Sequence, residues 1–236
     1  MTVDAAALRR GDLRERASWW GFALYGAVAA AHVTIGITGP DNLEYPTKLL
    51  LMPALALAVL WAMRGSWRKT PTARATALLL VALTLSWLGD GAGLFFPFLG
   101  DELPAMLLCF GLAHLVYIAL FLRFLPHRPL PRWTIVYALW WIVMIAVLWP
   151  SLGALAVGVA VYGLVLGGTA VAASRGSRVT ALGGAFFLAS DTILAVRLFL
   201  PDQTPPLADT WIMLAYTIGQ GLLAYGVIRL LRGGAR

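Results

Sequence analysis

Apolar stretches long enough to cross a lipid bilayer follow one another along almost the whole chain, and this limits the possible folds more than any single motif does. A helix needs about 20 apolar residues to traverse the hydrocarbon core. In that core every backbone N–H and C=O must find its partner inside the protein, which leaves helices and closed barrels. By that measure the sequence gives eight spans, near 18–38, 47–63, 74–96, 103–124, 132–149, 151–173, 179–200 and 207–231. The expected fold is all-α, a polytopic membrane bundle of eight transmembrane helices. It forms a single domain over 1–236, with 1–17 as an N-terminal segment and 18–231 as the bundle. Pro53 predicts a kink or tilt in the short second span. Trp149-Pro150-Ser151 reads as a tight hairpin between the fifth and sixth spans. The composition agrees, since residues are 60% hydrophobic and only 12% charged, about half the charge of a soluble domain.

The distribution of charge gives the orientation. Arg9, Arg10, Arg14 and Arg16 precede an apolar run from Trp19, as in a signal peptide. The apolar character persists to Ile37, too far for a signal sequence, so this segment reads as an uncleaved first span. On the same side of an eight-span bundle lie Arg64, Arg68, Lys69, Arg74, Arg123, Arg128 and Arg132. Arg175, Arg178, Arg229, Arg232 and Arg236 complete that side. The opposite loops carry Asp41, Glu44, Asp101, Glu102, Asp202 and Asp209 and no Lys or Arg. The positive-inside rule then places both termini in the cytoplasm. The net charge of +7 follows from topology and contact with the lipid surface, so nucleic acid is not an expected partner, and no protein partner is inferred. Usage rich in Ala, Gly, Arg and Trp points to a bacterial plasma membrane. The only cysteine, Cys109, rules out an internal disulfide and a Cys-based zinc cluster and reads as a small packing residue.

Against this background the polar residues at membrane depth stand out. Asp90 in SWLGDGAGLFF and Asp191 in FFLASDTILAV each cost roughly 2.5–3.5 kcal/mol to insert. One reading has them capped by hydroxyls or paired permanently with Lys48 or Arg197. The other makes them catalytic: a carboxyl group out of water is a usable proton donor near neutral pH, and two in one cavity titrate apart as an acid and a base. Lys48 and Arg197, near the outer ends of their spans, either snorkel to the interface or clamp an anionic head group. His114 and Tyr117 share one helix face, and Tyr216 and Gln220 share another. Both pairs suit interhelical hydrogen bonds or the orientation of water and substrate. His32 reads as structural, and His127 lies in a basic loop. A metal set of His32, His114 and one Asp lacks any ligand spacing, so neither metal nor cofactor is assigned. The Gly-rich runs at 89–93, 183–184 and 219–221 read as close helix packing. Asp90 and Asp191 each follow a small residue in same-direction spans, a weak echo of a four-plus-four duplication.

Five segments carry a family resemblance: TKLLLMPAL (Thr47 to Leu55), SWLGD (Ser86 to Asp90), FGLAHLVY (Phe110 to Tyr117), GAFFLASD (Gly184 to Asp191) and AYTIGQGLLAYG (Ala215 to Gly226). In order and spacing the set resembles the YhhN-like membrane proteins, which include the lysoplasmalogenases. One departure is Lys48-Leu49, where the family pattern has Lys-Pro. The resemblance implies hydrolysis of the vinyl-ether bond of a lysophospholipid, giving a fatty aldehyde and a glycerophospho-alcohol. That chemistry asks for a protonated carboxyl, an ionised carboxylate and a positioned water, which Asp90 and Asp191 can supply. Arg197 is six residues from Asp191, roughly 9 Å along a helix, so a head group held by Arg197 and Lys48 puts its ether linkage near the aspartates. The expected cavity opens to the non-cytoplasmic half of the bilayer and is lined by spans 2, 3, 4, 7 and 8. The competing readings are a proton-coupled lipid or small-molecule transporter and a metal-dependent lipid hydrolase.

Overall fold

The computed structural model of the protein describes residues 5–65, 70–126 and 128–233, with side chains described from residue 19 onward, Asp41 excepted. Of the charged residues used above, Arg68, Lys69, His127 and Arg236 lie outside the described residues, and Arg9, Arg10, Arg14, Arg16 and Asp41 are described in their backbone alone. Backbone hydrogen bonding closes within α-helices, as a chain without solvent at mid-depth requires, and the described residues contain no strand. The helices are α1 (Ala5–Thr38), α2 (Asp41–Met63), α3 (Thr70–Asp90), the single-turn α4 (Ala92–Phe95), α5 (Leu103–Arg123), α6 (Ile135–Leu152), α7 (Ala156–Ser174), α8 (Arg178–Phe199) and α9 (Ala208–Gly233). All but α4 are long and apolar enough to cross a membrane, α6 and α7 forming one apolar stretch broken at Gly153. The protein is an all-α, multi-pass membrane bundle.

The helices alternate between two ends. At the basic end the Arg128 amide donates to the Arg175 carbonyl at 2.7 Å, and the Arg232 guanidinium donates to the Ala62 carbonyl. At the acidic end the Thr210 hydroxyl donates to the Gly36 carbonyl at 3.0 Å, and Arg197 pairs with Asp209. α8 runs along α9, α3 along α5 and α1 along α2, while α5 and α8 both pack on α7. The main apolar core includes Leu51, Leu55, Leu79, Leu83, Phe121 and Leu223. A separate cluster forms where the α6–α7 tip (Leu148, Leu152, Val159) meets Leu107, Ala195 and Phe199.

Three element boundaries differ from the expectation, each for a local reason. The second span starts at Asp41, not residue 47, so Glu44 sits in the first turn of α2 rather than in a loop, and Lys48 lies in the second turn rather than at the helix start. Pro53 has no N–H for the Leu49 carbonyl, and the Trp87 indole of α3 donates to that carbonyl at 3.0 Å instead. The third span ends at Asp90. The chain turns at Gly91 into α4, so Asp90 is the last residue of its helix, whereas Asp191 lies about two turns before the end of α8. The two aspartates therefore do not occupy equivalent places, as a duplication would have them do. The hairpin between the fifth and sixth spans turns not at 149–151 but at Gly153, whose φ of +51° terminates α6. Trp141 donating to the Ala160 carbonyl at 2.9 Å holds its two arms together. The α7–α8 turn is fixed by a capping box in which Ser177 and Thr180 exchange side-chain and backbone hydrogen bonds.

Candidate functional site

A cavity of about 540 Å³ enters the bundle from the acidic end. Its wall comes from α2, α3, α5, α8 and α9, which correspond to spans 2, 3, 4, 7 and 8. Both Asp90 and Asp191 line it. Two devices bring them together. The first is the α8–α9 crossing. A Cβ on Gly219 would lie 2.8 Å from the Phe187 amide nitrogen, and one on Gly183 would lie 2.8 Å from that of Leu223. Glycine at both positions lets the two backbones touch, which presents Asp191 and Tyr216 to the same space. Ser190 donating to the Ile212 carbonyl at 2.9 Å fixes this register. The second is the break after Asp90, which leaves its side chain at the helix end facing α9.

Each carboxylate is held by a tyrosine. The Tyr216 hydroxyl donates to Asp90 Oδ2 at 2.8 Å. The Tyr162 hydroxyl of α7 donates to Asp191 Oδ2. No hydrogen bond from the described residues reaches the other oxygen of either group, which leaves it free for chemistry. Behind Tyr216 lies a buried network. The Gln220 amide donates to Ser86 Oγ at 3.0 Å and approaches the Tyr216 hydroxyl at 3.4 Å, while Tyr117 donates to Gln220 Oε1 at 2.7 Å. The Tyr216 ring is clamped edge-on by Phe187 and Phe110, with centroids 5.4 and 6.0 Å away. His114 is fully buried against Phe187 and Tyr162, and its Nε2 is 4.0 Å from Asp191 Oδ2. Neither ring nitrogen has a hydrogen-bond partner among the described residues.

Of the eight candidate residues, Asp90, Asp191, Tyr216, Lys48 and Arg197 therefore line the cavity, and three do not. His114, Tyr117 and Gln220 sit behind the wall, where they hold or face the residues that form it, and do not themselves reach a ligand. Arg197 needs a second correction. It is not a free clamp, because its Nε pairs with Asp209 Oδ1 at 2.6 Å on the exposed rim. Lys48 has no carboxylate within ion-pair distance among the described residues. The rim is otherwise acidic, with Glu44, Asp101, Glu102 and Asp209 all lining the cavity. His32 lies elsewhere, bonded through Nδ1 to Thr47 Oγ1 at 2.8 Å between α1 and α2. The two membrane histidines thus do not converge, and no group of three His, Cys, Asp or Glu side chains suited to a metal occurs among the described residues. The sequence argument missed Tyr162 and Ser86. Tyr162 carried a usable signal, as a phenol midway along the apolar run VAVYGLVLGG.

All five motif segments meet at this site. Leu49 takes the Trp87 indole, Ser86 and Tyr117 meet at Gln220, Asp90 meets Tyr216, and His114 faces Asp191. No curated protein and no solved structure matches the chain. The profile of the YhhN family matches residues 43–227, from the first turn of α2 to near the end of α9 and thus across every residue of the site, and the chain belongs to that family.

Proposed function

We propose that the protein is a lysoplasmalogenase-type hydrolase, which cleaves the vinyl-ether bond of a single-chain phospholipid to a fatty aldehyde and a glycerophospho-alcohol. The observation that carries this reading is the pair of carboxylates in one cavity, each with one oxygen held by a tyrosine and the other free. Asp191 donates a proton to the terminal alkene carbon. The adjacent carbon becomes an oxocarbenium ion, which the ionised Asp90 stabilises across the cavity. Water adds to that carbon and gives its proton to Asp90. In the resulting hemiacetal the hydroxyl returns a proton to Asp191, Asp90 passes its own to the glycerol oxygen, and the C–O bond breaks. The net change adds one water, and both carboxyl groups regain their starting states. Acid–base assistance of this kind contributes about 10²–10⁴-fold.

The rim favours a head group carrying both charges. Lys48 meets the phosphate, while the carboxylates of Glu44, Asp101 and Glu102 meet a cationic end. With the basic end in the cytoplasm, the cavity opens on the opposite face of a bacterial plasma membrane. The test is mass spectrometry of products after the purified protein, in detergent and without any gradient, is incubated with vinyl-ether, saturated-ether and acyl lysolipids. Aldehyde from the vinyl ether alone is expected. Release of fatty acid from the acyl lipid, or no product from any of the three, overturns the reading.

A further inference from the structure

Beside the polar cavity lies a second, small void of about 40 Å³, between α5, α7 and α8. The two share a wall: Phe110, Asp191 and Leu194 are among the residues that line both. On its far side the small void is bounded by Leu107, Val159, Ala195 and Phe199. Its wall is apolar except at the inner end, where Asp191 and Tyr162 stand. The void also marks a seam in the packing. Met106, Phe110, Tyr162 and Leu194 pack with the main core, whereas Leu107, Val159, Ala195 and Phe199 pack with the separate cluster at the α6–α7 tip. Close-packed cores resist deformation, so the bundle parts most readily where two cores abut. Beyond the seam the surface is lipid-facing, with Leu108 and Val157 63% and 70% exposed.

We propose that this seam is the chain-binding cleft of the protein: the hydrocarbon chain of a single-chain lipid lies between α5, α7 and α8, with its polar end in the carboxylate cavity. The proposal rests on the lysolipid reading given above and adds the place and path of the chain. Its geometry distinguishes the two aspartates. Asp191 is at the junction of void and cavity, beside the first carbons of the chain, while Asp90 lines only the polar cavity beside Tyr216. In a vinyl ether the carbon that takes the proton belongs to the chain, and the oxygen that leaves belongs to the glycerol. The cleft therefore assigns proton donation to Asp191 and the water and glycerol side to Asp90. The void as it stands is too small for a chain, so the α6–α7 tip moves outward along the seam as the lipid enters.

The test is photo-cross-linking of the full chain in detergent with a lysophosphatidylcholine that carries a diazirine midway along its chain. Labels are located by peptide mass spectrometry, with an excess of unlabelled lysolipid as competitor. Competable label is expected on α5, α7 and α8 around Leu107, Val159 and Phe199. Ala195→Phe, which fills the cleft one helical turn along α8 from Asp191, is expected to abolish it. The same variant should lower turnover of a long-chain vinyl ether about tenfold or more relative to a short-chain one, because the lost contact is with buried methylenes. Competable label confined to other helices overturns the proposal even if the variant fails to fold, because it is read on the unaltered protein. Equal loss for both chain lengths in a folded variant overturns it as well. Labelling of the cleft without any aldehyde release upholds the cleft and refutes the hydrolase; aldehyde release with label elsewhere does the reverse.

Discussion

Gln220→Leu tests whether the network behind the site is held together as the hydrogen bonds imply. Gln220 is fully buried, and its amide joins three helices, accepting from Tyr117 of α5 and donating to Ser86 of α3. Leucine has nearly the same volume, so the exchange creates no cavity and isolates the polar contribution. Interhelical hydrogen bonds in membranes average roughly 0.6 kcal/mol each, and the exchange removes one to α5 and one to α3. It also strands the Tyr117 hydroxyl, whose one hydrogen bond among the described residues is to Gln220, whereas the Ser86 hydroxyl can turn to the Ala82 carbonyl one turn back in its own helix; a buried orphan such as Tyr117 costs about 1–3 kcal/mol. The expected destabilisation is about 2–4 kcal/mol in all. Removing the orphan as well should recover most of it. The double variant Tyr117→Phe with Gln220→Leu is expected to lie only about 1 kcal/mol below the unaltered protein and to be more stable than Gln220→Leu alone. Unfolding titrations in mixed micelles, read by tryptophan fluorescence and arranged as a double-mutant cycle, measure this directly. A double variant at least as unstable as the sum of the two singles would refute the network as described.

Asp90→Asn and Asp191→Asn should each lower aldehyde release about 10²–10⁴-fold in protein that still folds, since an asparagine oxygen can keep the tyrosine bond; more than a tenth of the activity left in both removes the two-carboxylate mechanism. Tyr162→Phe deletes one oxygen and with it a hydrogen bond that strengthens by about 1–1.5 kcal/mol as Asp191 ionises, which corresponds to about 5–10-fold in kcat; an unchanged kcat in steady-state assays contradicts its role at Asp191. Lys48→Ala should raise KM more than Arg197→Ala does, because Arg197 is already committed to Asp209; the reverse order would show that the rim pair opens for the head group. Gly219→Ala drives a Cβ against the backbone of Phe187 and should cost about 1–3 kcal/mol as overpacking, together with activity, as α8 and α9 part; a thermal midpoint equal to that of the unaltered protein would contradict the close crossing.

The residues that the sequence exposes and those it hides differ in a physical way. Hydropathy shows the spans because length and apolarity are what the bilayer selects, and it shows Asp90 and Asp191 because a carboxylate at that depth is anomalous. It cannot find helix ends inside an apolar run. GAGLFF continues the hydrophobic signal past Asp90, so the break at Gly91 that aims Asp90 at Tyr216 leaves no trace in composition. Nor can it extend a helix through polar residues: Asn42 and Glu44 hide the first turn of α2, and with it the place of Glu44 on the cavity wall. The partner of Arg197 was equally invisible. Asp209 lies across a loop, and only the approach of α8 to α9 decides between a free cation and a paired one.

The i, i+3 relation between His114 and Tyr117 was legible, yet its meaning emerges only from the bundle. Neighbours on one helix face can serve different ends. Tyr117 connects through Gln220 to Tyr216 and so to Asp90, whereas His114 faces Asp191. α5 is therefore the element against which both carboxylates are positioned, although it contributes neither. A buried imidazole with no partner on either nitrogen among the described residues costs stability that ordinary packing would not leave unrecovered. The oxygen of Asp191 that already receives Tyr162 lies 4.0 Å from its Nε2. A closure of about 1 Å along α5 would complete a second hydrogen bond to that oxygen, within the usual N–H···O range. Catalytic hydrogen bonds are often long in a ligand-free protein and tighten when substrate binds.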